Sequence, residues 1–272
     1  MIAATNADIV IGTESWLKKE ILSSQVFPQS FKHYRKDRAG TNQGGGVFIL
    51  INDRFTSDEP EELKTDGNDK LLWCKIKIIG QADLYVGAFY RPPSSRSPDS
   101  LDDIRRSLDR IPSSAHTWLS GDFNLPDIDW VSESPMNSAT HMTVIETLFD
   151  IARDNFLVQA VTAPTRITEF SSSMLDLFFT NNISLVTKCE VIPGLGDHEA
   201  VFIESSLRPE RKRLPPRKIY RYNKADYVGL KEELANITPD FLASQTNSSA
   251  NESWDTFVGH LKRLQESMSH QK

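Results

Sequence analysis

The sequence predicts a mixed α/β fold (α+β), with two largely antiparallel sheets and flanking helices. Strand-length apolar runs outnumber stretches with a helical period, and several neighbouring runs have the spacing of hairpins. This pattern favours a two-sheet core over a doubly wound parallel sheet. With 272 residues and 39% hydrophobic content, the chain can bury a substantial core as one large domain.

The elements follow in order. Asp8 to Glu14 is a buried-strand signature that ends in a carboxylate. Val47 to Ile51 follows Gly44-Gly45-Gly46 and reads as a second buried strand, with the glycines as a flexible entry loop. Leu71 to Ile79 alternates toward its end, and Leu84 to Tyr90 is its hairpin partner. Arg91-Pro92-Pro93 stops that strand because proline cannot donate to a ladder. Ser97-Pro98 opens a helix with Ser97 as cap, and Leu101, Ile104, Leu108 and Ile111 form its apolar stripe. His116 to Ser120 is the next strand. Met142 to Phe156 is a second helix, and Leu157 to Val161 a short strand. Met174 to Phe179 and Ala200 to Glu204 are the last strands of the domain. Residues 208–218 form a basic, proline-containing linker, followed by helices around Tyr227 to Leu234 and Trp254 to Leu264 with a polar loop between them.

The bulk properties exclude several classes. The net charge is −6, so a nucleic-acid partner would have to be held by a local patch or through metal. Two cysteines make no disulfide framework, no run approaches membrane-spanning length, and the N-terminus has no signal-peptide pattern. The expectation is a nuclear or cytoplasmic protein that is neither secreted nor bound to a membrane.

The chemistry concentrates in Gly121-Asp122-Phe123-Asn124 and Gly196-Asp197-His198-Glu199. Asp122 and Asn124 stand two apart at a strand end, where both can reach one cleft. A carboxylate there can orient and deprotonate water, and an amide can bind phosphate oxygen. The same string is also ordinary turn chemistry. His198 beside Asp197 can exchange a proton with a phosphate, or be part of a capped turn. Asp176, inside an apolar strand, needs a partner, and either a salt bridge or a histidine would serve. Glu14 is a candidate hard-metal ligand or a surface acid. Tyr90 and Arg91 could together bind phosphate, although Tyr90 could equally be a core aromatic with a wet hydroxyl.

Read in order, Thr13-Glu14-Ser15-Trp16-Leu17, Gly45-Gly46-Val47, Phe89-Tyr90-Arg91-Pro92-Pro93, Gly121-Asp122-Phe123-Asn124, Leu175-Asp176-Leu177 and Gly196-Asp197-His198 resemble the endonuclease/exonuclease/phosphatase (DNase I-like) family. More narrowly, they resemble the endonuclease domain of a non-LTR retrotransposon polyprotein, in which a reverse transcriptase follows. The resemblance spans residues 7–205. It implies a four-layered two-sheet sandwich with its site at one end of the sheets. It also implies a role for each matched residue. Glu14 would bind metal, with Asp197 near it, and Tyr90 would contact the scissile phosphate. Asp122 would activate water with Asn124 as companion, and Asp176 would orient the catalytic His198. The cofactor implied is Mg²⁺, with Mn²⁺ as an alternative, and the partner is DNA.

The family opens with a further strand, carrying a metal-binding asparagine, and a helix. The present sequence starts at or after that point, so the expectation is a domain over residues 1–206 without its first strand and helix. Residues 207–272 then lead toward a reverse transcriptase. The function expected is Mg²⁺-dependent DNA nicking. The alternatives are a catalytically impaired remnant that only binds nucleic acid, and a phosphomonoesterase or phospholipid phosphodiesterase of the same fold.

Overall fold

The computed structural model describes residues 2–38, 44–64, 70–194, 196–212, 222–244 and 248–268. Its first half runs α1 (Ile2–Thr5), β1 (Ile9–Thr13), α2 (Ser23–Val26), β2 (Phe31–Lys36), β3 (Val47–Asn52), β4 (Ser57–Asp58), β5 (Leu71–Ile76), β6 (Leu84–Tyr90), α3 (Asp99–Leu108) and β7 (His116–Asp122). Then come β8 (Ile128–Asp129), β9 (Ser134–Pro135), α4 (Met142–Asp154), β10 (Val158–Gln159), β11 (Arg166–Ile167), β12 (Ser172–Ser173), β13 (Asp176–Thr180), β14 (Val186–Ile192) and β15 (Ala200–Ser205). Helices α5 (Tyr227–Ser244) and α6 (Ala250–Met268) belong to a second unit, 213–272; the first unit is 1–212.

The central sheet has six strands in the order β10-β13-β7-β6-β5-β4. Among the described residues only β6 and β7 run parallel, and α3 supplies the crossover that a parallel pair needs. A second sheet has the order β1-β3-β2, and β14 pairs with β15 as a separate ribbon.

Strand alternation divides the core in two. On one face of the central sheet, Trp73, Phe89, Leu119, Leu177 and Phe179 pack against Leu101 and Ile104 of α3 and Ile145, Leu148 and Phe149 of α4. On the other face, Cys74, Ile76, Val86, Ala88, Trp118 and Phe178 meet Val47, Ile49 and Ile51 of the second sheet. Ile9, Ile11, Val191, Val201 and Ile203 pack on the same side. The expected two-sheet core with flanking helices is therefore what the chain forms.

Two local expectations need correction, and two strands had no expectation at all. The first residue of α3 is Asp99 and its cap position is Pro98; the Ser97 hydroxyl accepts the Asp99 N–H at 3.2 Å from one residue further out. Strands β2 and β14 carry no strand signal in the sequence. Their runs, FKHYRK and VTKCEVI, are charged and bury little beyond Tyr34. The basic run at 208–218 is not spacer throughout. The Ile79 N–H donates to Arg208 O at 3.0 Å, Glu210 N–H to Lys77 O at 2.7 Å, and Lys212 N–H to Arg54 O at 2.7 Å, so the first unit extends through Lys212. The rest of that run, 213–218, lies outside the described residues.

Among the described residues, β1 pairs only with β3 and β15 only with β14. Residues of both strands line one cavity of about 730 Å³, together with Trp118, Phe178, Asp176 and His198.

Candidate active site

Cross-strand register builds the site. Tyr90 ends β6, Asp122 ends β7 and Asp176 begins β13. Tyr90 is in register with Asp122, and Asp122 with Asp176. The alternation that places Trp118 and Phe178 between the sheets puts Asp122 and Asp176 on that same face. Three polar side chains thus form a row across three adjacent strands at one sheet end.

Gly121 makes the row possible. Its φ is +146°, and a Cβ there would lie 1.8 Å from the Phe89 carbonyl oxygen, so only glycine fits. The chain then turns at Asn124, which sits in the left-handed region at φ +49°, where asparagine is tolerated. The Asn124 amide nitrogen donates to Asp122 Oδ2 at 2.6 Å and to Arg91 O at 2.9 Å, and its backbone N–H donates to Asp122 Oδ1 at 3.0 Å. Both Asp122 oxygens are therefore held from one side.

His198 approaches from the other side. Its Nδ1 lies 2.7 Å from Asp176 Oδ2. The hydrogen bond to Asp176 raises the His198 pKa against the opposing effect of burial, with the charges of Asp176, Asp122 and Asp197 adding to the rise. Asp122 is 5% exposed. Burial first, and then the Asp176 charge, pushes its carboxyl up to about 7, although His198 and the Asn124 hydrogen bonds work against this.

Glu14 follows β1 with φ +51°, a conformation costly for a non-glycine residue. The glycine run answers its carboxylate. The Gly45 N–H and the Trp16 indole N–H each donate to Oε2 at 2.6 Å, and the Tyr90 hydroxyl also bonds the carboxylate. Burial acts to raise the Glu14 pKa, but these hydrogen bonds outweigh it and the pKa is lowered. Burial and the Glu14 carboxylate raise that of Tyr90, keeping the phenol protonated. Gly44-Gly45-Gly46 is thus a cradle for Glu14 instead of a loose entry loop; its signal in the sequence was three glycines directly ahead of a strand.

Two expected residues are placed differently from their expected roles. Arg91 is fully buried, and its guanidinium donates to the carbonyls of Ser95 and, at 3.0 Å, Asn124. It clamps the Asn124 turn from behind and does not face the cleft. Asp197 is exposed, and its Oδ2 accepts from Arg166 Nε at 3.1 Å and Nη2 at 2.8 Å. It is not part of the acidic cluster, because this ion pair turns it toward Arg166.

Among the described residues, Asp122, Asp176 and His198 offer ligand atoms that all lie within 4.8 Å of one another. The two carboxylates repel each other in a poorly solvated site, as the raised Asp122 pKa records. A hard divalent cation on their oxygens would relieve that repulsion, so the donor set fits such an ion.

Residues 84–202 match the endonuclease-reverse transcriptase family. No curated protein matches the chain by sequence. Among solved structures, the endonuclease domain of TRAS1, a telomere-specific non-LTR retrotransposon, is similar with a TM-score of 0.57 at 16% identity, over 76% of this chain and 89% of that one. The AP endonuclease LMAP from Leishmania major gives 0.59 at 14% identity, over 74% and 79%. The APE2 catalytic domain from Xenopus laevis gives 0.53 at 13%, over 76% and 86%. The endonuclease-reverse transcriptase match is thus carried by residues 84–202, and the fold around them is similar to that of the DNase I-like endonucleases.

Proposed function

We propose that this chain is a divalent-metal-dependent endonuclease that nicks DNA, of the type found in non-LTR retrotransposons, where it would act beside a reverse transcriptase. The observation that carries this reading is the Tyr90–Asp122–Asp176 row with His198 bonded to its end. With His198, the row would supply a base, a proton-bearing cation and a phenol donor at one end of the sheet.

Asp122 is the water-activating group. A carboxyl with a pKa of about 7 is matched to taking a proton at neutral pH, and Asn124 fixes the direction of its oxygens. His198, whose protonated form the Asp176 hydrogen bond favours, would place positive charge where the attacked phosphate gains negative charge. Tyr90 is a neutral donor to the same phosphate, anchored by Glu14. Glu14 is the carboxylate proposed to hold the metal, Mg²⁺ or Mn²⁺, which when bound would supply positive charge against the phosphate. Arg91 has no part in binding phosphate in this reading, and Asp197 contributes its charge near His198 and its pair with Arg166.

One observation favours a second reading, binding without cleavage. Thr13 of β1 and His198 ahead of β15 both line the cavity, and among the described residues no sheet ladder joins β1 to β15. Incubating supercoiled plasmid with the purified chain in Mg²⁺ or EDTA separates the two. The endonuclease reading expects metal-dependent conversion to nicked circles, lost in Asp122→Ala. Salt-sensitive retention without nicking, indifferent to EDTA, would support the second. A panel containing phosphomonoesters and phospholipids tests the substrate class in the same run.

A further inference from the structure

Thr165 is fully buried and lies outside every motif the sequence offers, yet four main-chain bonds converge on it. Its hydroxyl oxygen accepts the N–H of Leu175 and the N–H of Asp176, both at 3.0 Å. Its own N–H donates to Ser173 O at 3.0 Å. Its carbonyl accepts the N–H of Glu199 at 2.6 Å, the residue after His198. The next residue continues the link, because Arg166 forms an antiparallel bridge with His198 and pairs with Asp197. One side chain therefore fixes the backbone at Asp176, and the same residue's carbonyl fixes the backbone beside His198.

This matters because Asp176 and His198 come from different parts of the fold. Asp176 starts a strand of the central sheet, and His198 precedes β15 in the separate ribbon. Between the ribbon's β15 and the second sheet lies a cavity instead of a ladder. The 2.7 Å contact between Asp176 and His198 thus depends on whatever joins these segments locally.

We infer that Thr165 is a positioning residue for the Asp176–His198 pair, setting the contact that orients the imidazole. This rests on the nuclease reading for its catalytic consequence, but its geometric claim stands on the hydrogen bonds alone. Threonine suits the position because its hydroxyl oxygen has two acceptor lone pairs for the two amides while its methyl group fills the buried site. Valine would keep the shape and leave both amides unsatisfied.

The test compares Thr165→Val and Thr165→Ser in the full chain. The His198 imidazole N–H resonance reports the Asp176 contact directly, and nicking kinetics report its consequence. The inference expects the Val variant to shift or lose that resonance. It also expects kcat to fall on the order of 10- to 100-fold, with KM changed less than about twofold, as misplacement of a catalytic group does. The Ser variant keeps the acceptor and should restore both signal and kcat to within about threefold. A Val variant with the parent's resonance and kcat overturns the inference. If the Val variant does not fold, the Ser variant decides alone: parent-like behaviour supports the role of the hydroxyl, and loss of resonance and kcat together overturns it. Nicking by Asp122→Ala at the parent rate would defeat the nuclease reading instead, and the resonance would still judge the geometry.

Discussion

At the residue scale, the site is built against the stability of its own fold. Asp122 is buried beside Asp176, and its folded pKa of about 7 stands well above the 3.8 of an ordinary aspartate. A raised carboxyl pKa means the folded chain holds a proton that the unfolded chain has released, so stability falls as pH rises from about 4 to 7. Asp122→Asn removes that penalty. In EDTA it should be more stable than the parent at pH 8 by roughly 2 kcal/mol, with the difference shrinking toward zero near pH 4. Urea midpoints at the two pH values check this, and an equal difference at both would count against the assignment. Arg91 tests the opposite kind of residue. Its buried guanidinium holds the Asn124 turn, so Arg91→Met should lower the melting temperature by roughly 5–10 °C. An unchanged melting temperature with weakened DNA binding would return Arg91 to the phosphate-binding role its sequence position suggests. That role was legible from its place after Tyr90, but its burial was not, because burial depends on a loop thirty residues later that the local string does not encode.

At the element scale, adjacent strand ends do most of the positioning. Tyr90, Asp122 and Asp176 meet only because β6, β7 and β13 are neighbours with those three residues in register. Gly121 permits the close approach of β7 to β6. Gly121→Ala would force a side chain into the Phe89 carbonyl at a backbone angle that disfavours it, and should destabilise by about 3 kcal/mol or more, read from urea unfolding. A loss under about 1 kcal/mol would show that the strand end can shift without cost. Strands with apolar alternation, such as β3, β5 and β6, were legible in the sequence. The charged β2 and β14 were not, since they bury little and their pairing is decided by neighbours. Thr165 and the Gly45 cradle belong to the same class: long-range hydrogen bonds leave no periodic trace.

At the scale of the whole molecule, two units of different composition share the chain. The first unit carries every residue of the candidate site and closes with the main-chain bonds of residues 208–212. A chain ending after Lys212 should therefore unfold cooperatively within about 3 °C of the full chain and keep its nicking rate. A melting temperature more than about 10 °C lower would make the helical unit part of the same cooperative fold. The fold class and the ordered motifs that point to the DNase I-like proteins were legible because they are local strings in a fixed order. The extent of the first unit was not, because Arg208 to Lys212 read as a basic linker until their carbonyl and amide partners were known.

In the proposed function, Asp122 and the Asp176–His198 pair act as one catalytic site for phosphodiester cleavage. The most direct measurement is the rate of supercoiled-plasmid nicking in Mg²⁺ by the parent chain, Asp122→Ala, His198→Ala and the double variant, each shown to be folded by circular dichroism. The parent should nick only with metal, each single variant should lose at least about a hundredfold, and the double variant should lose little more, because the groups act as a unit. Nicking by the folded double variant at the parent rate would contradict that function.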